Sequence, residues 1–171
     1  EATAEEIRTE TDREALVVQA DVGDVDAATS LVETAVETFD GVDHVVNNAG
    51  IDQHVYTEDL SPTDFDRVMD INVNGAFAVT KAALPALHES AVPEGPSVTN
   101  MSSVLAHTGA AIECHYAASK AALIALTKSH ARDFAPDIRV NAIAPGHVVT
   151  DMMTEDRSEE ELEHLRSEVP I

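Results

Sequence analysis

Short apolar runs alternate with amphipathic segments along this chain, and this alternation constrains the fold more than any other feature. The runs with strand character span residues 16–20, 44–47, 97–102 and 138–144. Apolar residues at helical spacing predict helices over 28–39, 61–87, 116–134 and about 155–168. Strand–helix alternation is typical of a parallel sheet covered by helices on both faces. We therefore predict an α/β fold with a doubly wound, Rossmann-like sheet, formed by residues 1–171 as a single domain.

Polar or turn-forming residues follow each of the predicted strands. They are Asp21, the segment 47–50, Ser102, Ser103 and the segment 145–150. Ligands in doubly wound sheets bind at the carboxyl ends of the strands, where these residues would meet. A purely structural scaffold does not need so many polar groups there. The sequence therefore predicts a binding site at this edge of the sheet.

Tyr116 and Lys120 lie four residues apart in a predicted helix, so their side chains share one face. A lysine ammonium near a phenol favours the phenolate, and we expect it to lower the tyrosine pKa from its usual value of about 10. Tyr116 could then exchange a proton with an alcohol oxygen near neutral pH. The same ammonium could hold the ribose hydroxyls of a cofactor.

Two further residues fit this chemistry. Ser103 follows a predicted strand, and its hydroxyl could stabilise negative charge on a substrate oxygen, the alternative being a loop or capping role like that expected for Ser102. Asn72 lies inside a predicted helix, where asparagine has no propensity advantage. Its carboxamide could bind a water that passes protons to Lys120; the alternative is a polar side chain facing solvent.

The order of these motifs resembles the classical short-chain dehydrogenase/reductase family over essentially the whole chain. The motifs are Asp21-Val22, Asn47-Asn48-Ala49-Gly50, Asn72, Ser103, Tyr116-x-x-x-Lys120 and Pro145-Gly146-x-Val148-x-Thr150. The resemblance implies an NAD- or NADP-dependent enzyme that interconverts a ketone and a secondary alcohol. By the same resemblance, the catalytic residues are Asn72, Ser103, Tyr116 and Lys120.

The resemblance also implies the residues that contact the cofactor. Beside Tyr116 and Lys120 they are Asp21 and Val22 at the adenine, Asn48, Ala49 and Gly50 along the cofactor, and Val148 and Thr150 at the nicotinamide end. Asn47 is expected to tie strands together instead. No metal ligand set is expected, because the eight histidines and single cysteine show no His-x-x-x-His or Cys-x-x-Cys spacing.

The sequence departs from the family pattern at both ends. The glycine-rich turn that cradles the pyrophosphate is not found before Asp21, and the first two strands and the last strand of the family are missing. We expect the chain to be an N- and C-terminally incomplete piece, with a gap two strands wide between segments 16–20 and 44–47. The segment that selects NAD or NADP is among the missing parts.

Two substrate classes compete within this interpretation. The chain as a whole resembles 3-oxoacyl-thioester reductases, which favours a 3-oxoacyl thioester as the substrate. One segment instead resembles the glucose 1-dehydrogenase branch and favours a sugar or polyol: His115-Tyr116-Ala117-Ala118-Ser119-Lys120. An acidic acyl carrier protein would be repelled by this acidic chain. A non-catalytic scaffold or inactive fragment is the alternative from another functional class.

The net charge of −22 arises from 32 acidic and 10 basic residues spread along the chain. We interpret this excess as adaptation to high salt, and it argues against binding to nucleic acid. No apolar run is long enough for a membrane span, and one cysteine favours a reducing cytoplasm. Small residues on the helices over 62–87 and 116–134 allow close helix contact and favour a homodimer or homotetramer. We expect a small molecule as the substrate.

Overall fold

The computed structural model describes residues 2–146 and 148. The elements, in chain order, are α1 (Ala2–Glu10), α2 (Val25–Phe39), β1 (His44–Asn47), α3 (Pro62–Met69), a π-helix (Asp70–Asn74), α4 (Gly75–Glu89), β2 (Ser97–Met101), α5 (Leu105–Thr108), α6 (Cys114–Asp133) and β3 (Arg139–Ile143). The predicted acidic helix over 155–168 lies outside the described residues, as does Thr150. No described helix is both long and apolar enough to cross a membrane.

Three parallel strands form the described sheet in the order β1-β2-β3. His44 is opposite Ser97, and Ser97 is opposite Arg139, so the strands start level with one another. Their carboxyl ends therefore meet at one edge, as the sequence predicts. The loops that leave this edge carry most of the proposed site.

The hydrophobic core lies on one face of this sheet. Val45, Val98 and Val140 project from successive strands and cluster with Ala83 and Leu87 of α4. On the opposite face, the side chains of Val46 and Ile143 are exposed. The sequence predicts helices on both faces, but within the described residues only one face is covered.

The predicted helix boundaries follow from local capping. Asp24 caps α2 by accepting hydrogen bonds from the backbone N–H groups of Asp26 and Ala27, and Asp40 ends it in the left-handed conformation. Ser61 caps α3 by accepting from the N–H of Asp64, with Pro62 in the first turn. These signals are local, which is why the sequence predicts these helix ends well.

The predicted first strand, residues 16–20, does not form. Residues 13–20 are assigned to no helix or strand, and Leu16 and Val17 are 42% and 49% exposed. A β-strand requires a ladder partner for its backbone groups, and none of the described strands pairs with this run. The apolar run was recognised correctly, but the strand assignment was wrong because pairing is not a local property.

Four buried polar side chains connect the sheet to its helices. Asn47 Nδ2 donates to Thr80 Oγ1 at 2.9 Å and to Asn100 Oδ1 at 2.8 Å. Asn100 Nδ2 donates to Thr127 Oγ1 at 2.8 Å, and this hydroxyl donates to the Leu123 carbonyl at 2.7 Å. This network joins β1, α4, β2 and α6, and it confirms the structural role predicted for Asn47.

Candidate active site

Asn72 reaches the site because a π-helix interrupts the long helix predicted over 61–87. The backbone runs from α3 through Asp70–Asn74 into α4, and Asn72 is only 1% exposed. Its Nδ2 donates to the Ile51 carbonyl and to Ser119 Oγ, both at 3.0 Å, and its Oδ1 accepts from the Ile51 N–H at 2.8 Å. Both amide protons are therefore used, and the solvent-facing alternative is excluded. One lone pair of Oδ1 is left for a water.

Lys120 lies beneath the ring of Tyr116, one turn further along α6. Its Nζ is 5.4 Å from the ring centroid and donates to the Met101 carbonyl at 2.9 Å. Met101 is the last residue of β2. The lysine ammonium is thus buried and anchored at the carboxyl end of the central strand.

The pKa of Tyr116 is raised above its usual value near 10, contrary to the lowering expected from Lys120. Burial is the largest cause, because it disfavours the charged phenolate, and the Asp52 carboxylate adds to it. A hydrogen bond from Ser103 lowers the pKa, and Glu113 raises it further. The pKa of Lys120 is lowered by its own burial. In this state Tyr116 is a neutral proton donor at neutral pH.

The two serines after β2 have different roles. Ser102 Oγ donates to the Lys120 carbonyl at 2.8 Å, so it fixes α6 to the sheet, as its expected structural role implies. Ser103 is buried, accepts from the Leu105 N–H at 3.2 Å and lies near enough to the Tyr116 phenol to lower its pKa. The hydroxyls of Ser103 and Tyr116 therefore lie together, as two groups acting on one substrate oxygen must.

Gly50 brings the loop after β1 against these groups. A Cβ atom at this position would lie 3.2 Å from Asn72 Oδ1 and 3.3 Å from Lys120 Nζ. Contacts this short are tighter than ordinary packing, so only glycine fits without displacing one of the two side chains. The backbone of the Asn48-Ala49-Gly50 segment thus borders the candidate catalytic residues. Asn48 and Ala49 are exposed at the sheet edge.

The other predicted cofactor contacts are distributed along the same side of the molecule. Asp21 Oδ1 accepts from the Gly23 N–H at 2.9 Å, and this turn lies against the π-helix at Ile71. Val22 packs on Gly75, the first residue of α4. Val148 is exposed beyond β3.

Three residues lie beside the candidate catalytic residues and were missed by the sequence interpretation. His54 Nε2 is 3.1 Å from Glu113 Oε1 and 3.6 Å from Asp52 Oδ2. Asp52 follows the Asn-Asn-Ala-Gly motif by two positions and Glu113 precedes Tyr116 by three, so both were near recognised motifs. Their proximity to each other could not be read from the sequence, because 60 residues separate them.

Ser119 is a fourth residue that the sequence interpretation missed. It is fully buried, accepts from Asn72 Nδ2 and donates to the Tyr116 carbonyl at 2.7 Å. It therefore links the π-helix to the turn of α6 that carries both Tyr116 and Lys120. Its position directly before Lys120 was the available signal.

Comparison with known proteins agrees with this geometry. The family model described as short chain dehydrogenase matches residues 1–161. The chain is 34% identical over its whole length to a 3-oxoacyl-[acyl-carrier-protein] reductase of Staphylococcus aureus, of which it covers 68%. It is 37% identical over 92% of its length to an L-rhamnose 1-dehydrogenase (NAD(P)(+)) of Azotobacter vinelandii, of which it covers 61%.

Solved structures show the same similarity. A short-chain dehydrogenase/reductase from Brucella melitensis, titled glucose/ribitol dehydrogenase, superposes with a TM-score of 0.75 at 34% identity. The superposition covers 82% of this chain and 55% of that one. The chain thus spans little more than half of this structure and about two thirds of its curated relatives.

Proposed function

Because this chain belongs to the short-chain dehydrogenase family, we propose that the intact protein is an NAD- or NADP-dependent oxidoreductase that interconverts a ketone and a secondary alcohol. The observation that carries the proposal is the placement of the Tyr116 phenol. Ser103 lies near enough to lower the pKa of the phenol, and Lys120 lies under its ring. A bound nicotinamide would supply or accept the hydride.

In the reducing direction, Tyr116 gives its phenolic proton to the carbonyl oxygen of the substrate as the carbonyl carbon is reduced. Ser103 donates a hydrogen bond to the same oxygen and stabilises the negative charge that develops there. The raised pKa of Tyr116 suits this role, because the proton is present at neutral pH. In the oxidising direction the phenolate accepts the alcohol proton.

The other two candidate catalytic residues, Lys120 and Asn72, hold the cofactor and the surrounding loop in place. Lys120 would bind the ribose hydroxyls of the cofactor through its ammonium, and Asn72 fixes the loop at Ile51 to α6 through Ser119. We assign cofactor contacts also to Asp21, Val22, Asn48, Ala49, Gly50, Val148 and Thr150. The last of these lies outside the described residues.

The substrate class has two candidates. A 3-oxoacyl thioester is supported by the similarity to the reductase of S. aureus over the whole chain. A sugar or polyol is supported by the similarity to the L-rhamnose 1-dehydrogenase and by the polar residues beside Tyr116. The polar residues beside Tyr116 are the part of the site where the two candidates would bind differently.

We also propose a cytoplasmic homo-oligomer, a dimer or tetramer, that is adapted to high salt. Exposed Ala121 and Ala125 on α6 and exposed Phe77 on α4 support close helix contact between subunits. Ala83 and Ala117 are instead buried within the subunit, so these two alanines pack in the core of their own subunit. Light scattering in molar salt distinguishes an oligomer from a monomer.

Substitution of Tyr116 tests the proposed chemistry directly. In the intact protein, Tyr116→Phe should reduce kcat by several orders of magnitude and leave the Kd of the cofactor nearly unchanged, because only the phenolic hydroxyl is lost. Tyr56→Phe, which alters an exposed phenol, is the matched control. Ordinary turnover by Tyr116→Phe would overturn the proposal.

A further inference from the structure

Asp52, His54 and Glu113 form a compact polar cluster, which we call the DHE cluster. Their ligand atoms all lie within 4.8 Å of one another. The His54 imidazole lies between the two carboxylates, 3.1 Å from Glu113 and 3.6 Å from Asp52. The side chains are 27% exposed at His54, 13% at Asp52 and 10% at Glu113. The two carboxylates are thus largely sheltered from bulk water but open to it on one side.

Two loops are joined to form the DHE cluster. The loop after β1 and the loop before α6 are connected by a 2.8 Å hydrogen bond from the Val55 N–H to the Ile112 carbonyl. Ile112 has a φ of 58°, a left-handed conformation that β-branched residues rarely adopt. Such strain persists only where surrounding contacts enforce it, and it is concentrated at functional sites. Here it precedes Glu113 directly and turns that residue into the cluster.

The DHE cluster lies beside the reacting groups. Asp52 follows Gly50 by two residues, and a Cβ on Gly50 would lie 3.3 Å from the Lys120 ammonium. Glu113 precedes α6, and its carbonyl accepts from the Ala117 N–H at 2.9 Å in the first turn, where Tyr116 is located. Both carboxylates raise the pKa of Tyr116, so each acts on the phenol through its electric field. A substrate whose oxygen meets Tyr116 would extend past this cluster.

We propose that the DHE cluster binds hydroxyl groups of a sugar or sugar alcohol, and that the substrate of this enzyme is polyhydroxylated. The inference rests on the proposed oxidoreductase function and specifies its substrate class. Ionised carboxylates only accept hydrogen bonds, and hydroxyl groups adjacent to the reacting carbon are donors of matching size. His54 can donate to one substrate oxygen or accept from another. The cluster therefore offers fixed partners for several neighbouring hydroxyls.

The competing thioester fits this cluster poorly. An acyl chain has no hydroxyl donors next to its ketone, so it would donate no hydrogen bonds to the Asp52 and Glu113 carboxylates. This difference favours the polyhydroxylated substrate.

The test compares substrates on the intact enzyme with saturating cofactor. We would measure kcat/KM for L-rhamnose and D-glucose, for cyclohexanol as an alcohol without further hydroxyls, and for acetoacetyl-coenzyme A. Asp52→Asn and Glu113→Gln should lower the ratio of sugar to cyclohexanol kcat/KM by about tenfold, as expected for loss of one charge-assisted hydrogen bond. The ratio cancels any change in the proton-transfer step, because both alcohols use Tyr116.

Asp59→Asn, an exposed carboxylate on the same loop, is the matched control and should leave the ratio unchanged. His54→Gln provides a second variant at the most exposed member of the cluster if either carboxylate variant folds poorly. A preference for acetoacetyl-coenzyme A with an unchanged ratio in the variants would overturn the inference and leave the oxidoreductase function standing. Sugar oxidation that is abolished by a chelator and restored by Mn²⁺ would make the cluster a cation site and would also overturn it. Failure of the function itself would appear as ordinary turnover in Tyr116→Phe.

Discussion

Asn72 Nδ2 donates a hydrogen bond to Ser119 Oγ at 3.0 Å, and this contact joins the π-helix to α6. Both side chains are at most 1% exposed. Because Ser119 also donates to the Tyr116 carbonyl, a displacement of Asn72 would be transmitted to the turn that carries Tyr116 and Lys120. Ser119 is therefore a positioning residue that acts through its neighbours.

Ser119→Ala should reduce both activity and stability. The substitution leaves one buried proton of the Asn72 amide without a partner, at a cost of about 1–3 kcal/mol in the free energy of unfolding. We expect kcat to fall about tenfold. Denaturant unfolding of the same samples would measure the loss of stability. Ser129→Ala, at an exposed position of the same helix, should change neither quantity. An unchanged kcat would show that Asn72 is held without Ser119.

The pH dependence of alcohol oxidation should report the raised pKa of Tyr116. Oxidation needs the phenolate, so kcat/KM should rise with pH as the phenol loses its proton, and the raised pKa places this rise at alkaline pH. Asp52→Asn removes a carboxylate that disfavours the phenolate, so the rising limb should move to lower pH. Glu113→Gln should move it in the same direction by less, as the weaker of the two effects. A shift to higher pH in either variant would contradict this electrostatic account.

Gly75→Ala should destabilise the fold at the junction of the π-helix and α4. A Cβ at Gly75 would lie 2.9 Å from both the Val22 carbonyl oxygen and Val22 Cγ2. The side chain could rotate away, but the backbone oxygen could not, so we expect a loss of about 1–3 kcal/mol. Cofactor affinity should weaken as well, since Val22 is a proposed adenine contact. Gly146→Ala, where a Cβ would meet Val104 at an ordinary 3.7 Å, is the control for thermal stability. Equal melting temperatures of the two variants would refute this prediction.

The excess of negative charge predicts stabilisation by molar salt. At 0.1 M ionic strength the Debye length is about 10 Å and at 1 M it is about 3 Å, so ordinary screening is largely complete at a few tenths molar. A chain of net charge −22 that is adapted to high salt should continue to gain thermal stability between 0.5 and 3 M KCl. A melting temperature that levels off below 0.5 M would indicate an ordinary acidic protein.

The sequence by itself determined most of the local elements and the spacing of the candidate catalytic residues. The predicted strand 44–47 is β1, α2 ends at Asp40, α3 begins after Ser61 as predicted, and α6 places Tyr116 and Lys120 on one face. These features depend on residues a few positions apart, so periodicity, capping preferences and spacing are sufficient to predict them.

The tertiary structure alone decided which distant segments meet. It placed Glu113 against His54, linked Asn72 to Ser119 and left residues 16–20 unpaired. It also determined the direction of the Tyr116 pKa shift, because burial and the nearby Asp52 carboxylate both raise this pKa. Strand pairing, burial and electrostatic fields depend on distances in space between residues far apart in the chain, and local sequence patterns do not contain those distances.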